Sequence, residues 1–211
     1  MPSLDVANIL PRGNIIRHPQ CCLSLSVTLL DALTQTIRVC RVPPGTVLSI
    51  GCGSGLLEAL WLAHLRTEPK GSGPFEIEGV EVQQSELDAP VNKHLSEPAI
   101  NTVSSTNIVS SRLLDEDVFC VMFVYPRQPS LVHSYSTRIA KERQDLSVVI
   151  WLGLIVDWPA FKASFNPIFE SQHQDIKLDI RYGAEVGLDP SEMMVNINLT
   201  PRSNCKPPNP P

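Results

Sequence analysis

The chain has 211 residues, 43% hydrophobic and 18% charged, and 17 basic against 22 acidic side chains leave a formal charge of −5. That composition belongs to a folded chain, and at this length roughly 70% of the unfolded surface can be buried without a disulfide or metal staple. The acidic balance argues against a general nucleic-acid binder, which carries a net basic face. The six cysteines form no Cys-x-x-Cys and no Cys/His cluster at zinc-finger spacing, so no metal site and no disulfide framework are expected. Residues 1–17 lack the apolar stretch of a secretory leader, and the longest apolar runs, 118–124 and 146–156, are too short to span a bilayer. A cytoplasmic, reduced protein without a membrane span is the expectation.

In chain order, residues 1–20 read as an extension punctuated by prolines and Gly13. Leu23, Val27, Leu30, Leu33 and Ile37 recur at three- and four-residue steps and predict an amphipathic helix over 21–39. Pro43-Pro44-Gly45 ends it. Residues 46–50 predict a short buried strand, 54–66 a helix with Leu56, Leu60 and Ala63 on one face, and 75–82 a second strand. Asp88 is placed to cap a short helix that opens at Ala89-Pro90 and ends near Ser96. A weaker, polar third strand is expected over 100–105. Val118–Val124 is continuously apolar and β-rich, hence a central strand buried on both faces. A helix over 130–143, a central strand over 146–156 and a helix over 159–170, broken near Pro167, follow. Residues 176–182 and 193–199 alternate as two final strands. The tail from Pro201 to Pro211 holds five prolines and is expected to be disordered.

Strands separated by helices imply a mostly parallel sheet. The last two strands lack a helix between them and should pair antiparallel. The fold class is therefore α/β, a seven-stranded Rossmann-like sheet with helices on both faces, in a single domain over 21–200.

The strongest local pattern is Leu48-Ser49-Ile50-Gly51-Cys52-Gly53-Ser54-Gly55, at a strand-to-helix junction. Glycines there permit positive φ and let a ligand reach the backbone, and the next helix aims free N–H groups at the same spot. A dinucleotide fingerprint wants a small residue where Leu56 stands, which disfavours a nicotinamide-dependent oxidoreductase. No Gly-Lys-Ser/Thr follows, so a nucleoside-triphosphate loop is excluded. The second element is Glu81, at the end of the second strand, where a carboxylate can accept both hydroxyls of a ribose. Glu76 and Glu78 read as solvated strand charges.

At these residues the chain resembles the class I S-adenosylmethionine-dependent methyltransferases. Residues 47–55 look like the family's first motif, and Glu81 falls where its ribose-binding acid sits. The resemblance covers about 21–200 and implies the strand order 3-2-1-4-5-7-6, with S-adenosylmethionine as cofactor. It also implies a cofactor site formed by Gly51, Cys52, Gly53, Gly55, Glu81 and Tyr125, completed by Ser105 or Asn107 after the third strand. Two positions depart from the family pattern. Ser49 stands where members often carry an acid, and Ser104-Ser105-Thr106-Asn107 replaces the acid that often meets the adenine amino group.

The fourth strand ends Val124-Tyr125-Pro126-Arg127 rather than Asn-Pro-Pro-Tyr, so methylation of base or glutamine nitrogens is unsupported. His133 is a general base in principle but reads as a plain helix residue, Trp158 as packing, and Cys52 as a small packing residue rather than a nucleophile. No catalytic residue is named, because a sulfonium methyl is already activated. The function implied is methyl transfer to a small-molecule or protein acceptor; the competing reading is an interaction protein that keeps the fold without the activity.

Overall fold

A computed structural model describes residues 6–11, 13–40, 44–67, 75–82, 92–171 and 174–201. The chain opens with one helical turn, α1 (Val6–Ile9), and a hairpin of β1 (Ile16–His18) and β2 (Cys21–Leu25), followed by α2 (Val27–Cys40). The helix predicted over 21–39 thus begins later, and its first residues are a strand. Leu23 and Leu25 fit both a helical and an alternating pattern; they point into the core while Ser24 between them is held by buried Glu192. Ser26 then starts the helix, accepting from the Leu29 N–H at 3.0 Å.

The rest follows the predicted order. Strand β3 (Gly45–Ile50) leads to α3 (Leu56–Thr67) and β4 (Phe75–Val82), then β5 (Ile100–Val103), β6 (Val118–Val124) and α4 (Pro129–Glu142). Strand β7 (Val148–Leu154), α5 (Trp158–Ser164), α6 (Asn166–Phe169), β8 (Gln174–Tyr182) and β9 (Glu192–Pro201) complete the chain. The short helix expected after Asp88 falls largely on residues outside those described, and 92–96 are not helical. The proline tail also lies outside them from residue 202.

Seven strands form one sheet in the order β5-β4-β3-β6-β7-β9-β8. Neighbours from β5 to β7 are parallel, and β9 runs antiparallel to both β7 and β8. This is the Rossmann-like arrangement that the sequence implies. Period-two alternation assigns side chains to two cores: Val148, Ile150 and Leu152 of β7 join α2, α3 and Leu23 of the hairpin. Val149 and Trp151 join α4, α5 and α6 on the other face. No helix among the described residues is long and apolar enough to cross a membrane.

Strand order reverses at β3, which has β4 on one side and β6 on the other. In open α/β sheets, ligands bind at the carboxyl ends of the strands beside such a switch point. Here those ends are Ile50, Val82 and Val124.

Candidate functional site

A cavity of about 480 Å³ opens at these three strand ends, within the ordinary range for a small-molecule site. Its floor is the glycine loop after β3. Gly51, Gly53 and Gly55 have φ of +73°, +54° and +74°, but they serve different ends. A Cβ on Gly51 or Gly53 would meet no atom within 4 Å, so the backbone there is bare toward the cavity. A Cβ on Gly55 would lie 2.5 Å from Asn92 Oδ1 and 2.9 Å from Leu95 Cγ. Gly55 is therefore fixed by packing, and it is not among the residues lining the cavity.

Glu81 closes one side. Its carboxylate accepts from the Gly53 N–H at 2.8 Å and from the Val82 N–H at 3.0 Å, tying the glycine loop to the end of β4. Each oxygen carries one backbone bond and retains further acceptor capacity. Cys52 packs with Ala59 and Leu95, and burial pushes its thiol well up, as suits a packing residue. Its sulfur fills the space that a side chain on Gly79 would take.

Of the polar turn after β5, Thr106 lines the cavity, whereas Ser105 and Asn107 on either side of it do not. Glu78, expected as a solvated charge, is instead ion-paired to Arg112 at 2.8 Å, on the sheet rather than at the site. Arg112 had to be brought from beyond β5 to meet it.

Tyr125 lines the side toward β6 and has φ of +48°, the non-glycine residue with positive φ among those described. That conformation costs about 1–3 kcal/mol and persists only where the surroundings hold it. Here the Tyr125 N–H donates to the Leu152 carbonyl at 2.8 Å, and its hydroxyl donates to Glu192 Oε1 at 2.7 Å. Glu192 is fully buried, and Ser24 and Arg17 from the opening hairpin bind it, the latter at 2.8 Å. Burial and the adjacent Glu192 carboxylate push the Tyr125 phenol up, so it stays protonated.

The hairpin turn also contributes to the cavity wall, through Gln20. Ser54 of the glycine loop donates to the Gln20 carbonyl at 2.6 Å, and His94 pairs with the Gln20 side chain at 2.7 Å. Cys21 and Cys22 line the cavity beside it. His133 is exposed on α4 and does not line it; Trp158 packs in the core against Trp151, with ring centroids 5.1 Å apart and the planes tilted by 48°.

Besides Thr106, the acids Glu58 and Glu192 escaped the sequence reading. Glu58, in the first turn of α3, lines the cavity though only 1% exposed, and the Ser49 hydroxyl donates to its Oε1 at 2.6 Å. Burial raises its pKa to about 7 against the partial relief of the Ser49 bond. The available signal was a lone acid inside the apolar run Leu56-Leu57-Glu58-Ala59-Leu60, just after the glycines. Glu192 gave no such signal, since its partners Arg17, Ser24 and Tyr125 are remote in sequence.

No family model and no curated protein matches the sequence. Solved structures do. The methyltransferase domain of a bacterial CtHen1 superposes with a TM-score of 0.51 at 14% identity, covering 81% of this chain and 97% of that one. A Listeria monocytogenes protein described as a class I S-adenosylmethionine-dependent methyltransferase gives 0.52 at 9% identity, over 92% of this chain and 66% of its own. At such identities the likeness is one of fold. The chain has the class I methyltransferase fold.

Proposed function

We propose that this chain is an S-adenosylmethionine-dependent methyltransferase acting on a small-molecule or protein acceptor. The observation that carries the reading is the pairing of Glu81 with a glycine loop whose two bare positions, Gly51 and Gly53, face a cavity at the switch point. That cavity suits a nucleoside-sized ligand. Gly51 and Gly53 let it approach the main chain, Glu81 has acceptor capacity for a ribose diol, and Thr106 offers a further hydroxyl on the cavity lining. Gly55 supports the loop by packing against Leu95, and Ser105 and Asn107 lie outside the cavity lining on either side of Thr106.

S-adenosylmethionine, when bound, supplies a methyl group on a sulfonium that is already activated toward an in-line nucleophile. The protein's share is then placement and exclusion of water. The Gln20–Cys22 side of the cavity, fastened to Ser54 and His94, shields the glycine loop. Tyr125, held rigid by Leu152 and Glu192, fixes the wall toward β6, and its protonated phenol orients rather than removes a proton. Arg127 and Gln128, exposed at the rim, are the first polar groups an acceptor would meet.

Calorimetric titration with S-adenosylmethionine, S-adenosylhomocysteine and NADH tests the reading. Binding of the first two but not the third is expected. Binding of NADH alone would make the chain an oxidoreductase, and no binding at millimolar ligand would leave a protein that keeps the fold without the activity.

A further inference from the structure

The cavity holds a buried carboxyl that the proposed reaction does not use. Glu58 is almost wholly enclosed yet forms part of the wall, and Ser49, from β3, occupies its Oε1. Ser49 stands at the position where the resemblance puts an acid. The structure thus brings an acid to that place from the helix, with the strand supplying only a hydroxyl.

The charge environment of Glu58 is one-sided. The titratable groups facing it are Glu81 at the end of β4, whose carboxylate opposes a second negative charge, and the thiols of Cys21 on β2 and Cys52 in the glycine loop, which burial keeps neutral; none of the three is a cation. Arg127 is the one cation lining the cavity among the described residues; it lies at the exposed rim and is not among the groups acting on Glu58. A buried carboxylate without a cation is costly. The fold meets that cost by letting Glu58 keep a proton near neutrality. A carboxyl placed on a cavity wall and left without a counter-charge is a receptor for a cationic centre.

We propose that Glu58 receives a positively charged group of the bound cofactor and releases its own proton to solvent as the ligand enters. The carboxylic O–H bond breaks, the proton goes to buffer, and the carboxylate pairs with the ligand cation. This rests on the proposed cofactor reading and assigns that site a second acid, distinct from Glu81. The cation has two sources, the ammonium at the amino-acid end and the sulfonium.

The test is calorimetry on the whole chain at pH 6.5, in phosphate and in a buffer of large ionisation enthalpy, which separates proton release from binding heat. At that pH the ligand's amino group, with an ordinary pKa of about 8, is already protonated. More than about half a proton should be released per wild-type site, because a group of pKa about 7 is then mostly protonated. Release with S-adenosylmethionine and S-adenosylhomocysteine, but not with 5′-methylthioadenosine, supports the proposal and identifies the ammonium. Release with S-adenosylmethionine alone supports it and identifies the sulfonium. Glu58→Gln should bind without release, and Ser49→Ala, which keeps the carboxyl, should still release.

Tight wild-type binding with no proton released overturns the proposal while leaving the methyltransferase reading intact. Release that persists in Glu58→Gln, or that 5′-methylthioadenosine also triggers, overturns it in the same way. Failure of every nucleoside ligand to bind overturns both.

Discussion

Glu78 and Asp117, toward the amino ends of the parallel strands, and Glu58, at their carboxyl ends, are treated in opposite ways. Toward the amino ends of β3 and β6, Arg112 is clamped by Glu78, Asp115 and Asp117 at 2.6–2.9 Å, with Thr46 bonded to Asp117 and Asn101 to Glu78. Hydrogen bonds from this one guanidinium hold Glu78 and Asp117 below the ordinary carboxylate range. At the carboxyl ends, burial raises Glu58, and Tyr125 sits in a left-handed conformation. The amino end satisfies its charges and gains rigidity. The carboxyl end keeps a buried acid without a cation and a strained residue on a cavity wall.

The largest effect should come from removing the clamp. Arg112→Ala leaves Glu78 and two half-exposed aspartates facing one another, and should cost about 3 kcal/mol in urea denaturation, the low end for breaking a buried pair because Asp115 and Asp117 are solvated. A loss under ~1 kcal/mol would mean the cluster is screened surface charge. Its pH dependence has a definite sign. Because Glu78 and Asp117 are lowered on folding, the stability they contribute is present above the unfolded carboxylate range near ~4 and is lost as pH falls below it. Wild type and Arg112→Ala should therefore converge in acid.

Glu58 should behave in reverse. A carboxyl raised from 4.5 to about 7 holds a proton in the folded state that the unfolded chain has released. Stability then falls as pH rises through that window and is level above it, by up to about 3 kcal/mol at ~1.4 kcal/mol per unit. Glu58→Gln should remove this slope and be more stable than wild type at pH 8. Parallel pH profiles for the two proteins would show that Glu58 is ionised throughout.

Smaller effects separate the core from the loop. Val121 and Val149 are fully buried and opposite one another in β6 and β7, so truncation of either to Ala should cost about 1–3 kcal/mol. At the glycine loop, Gly53→Ala should cost about 1 kcal/mol for its positive φ alone. Gly55→Ala must also displace Asn92 and Leu95 and should cost more. Equal losses at the two glycines would contradict the division between a bare position and a packed one.

The sheet was legible because its central strands are uninterrupted apolar runs, and a missing crossover helix marked the final hairpin. Those signals are local and strong. The opening hairpin was hidden because Leu23 and Leu25 satisfy two periods, and because what holds Ser24 is a glutamate 168 positions away. Of the cavity lining, Gly51, Gly53 and Glu81 were legible from their places at or just after strand ends. Thr106 was missed by one residue, since a polar turn has no periodicity to fix its register. Glu58 and the Tyr125–Glu192–Arg17 set emerge only when remote segments meet.

The central claim is that the glycine loop and Glu81 form one ligand site, and the affinity of Glu81→Gln for S-adenosylhomocysteine tests it most directly. Gln keeps one acceptor but presents a donor where the Gly53 N–H and a ribose hydroxyl both require acceptors. Loss of a charge-assisted bond worth ~1.5–3 kcal/mol should weaken binding roughly 10- to 100-fold, with Arg112→Ala unchanged in affinity where it is folded. Equal affinity in Glu81→Gln and wild type, or no binding by wild type at millimolar ligand, would contradict the account.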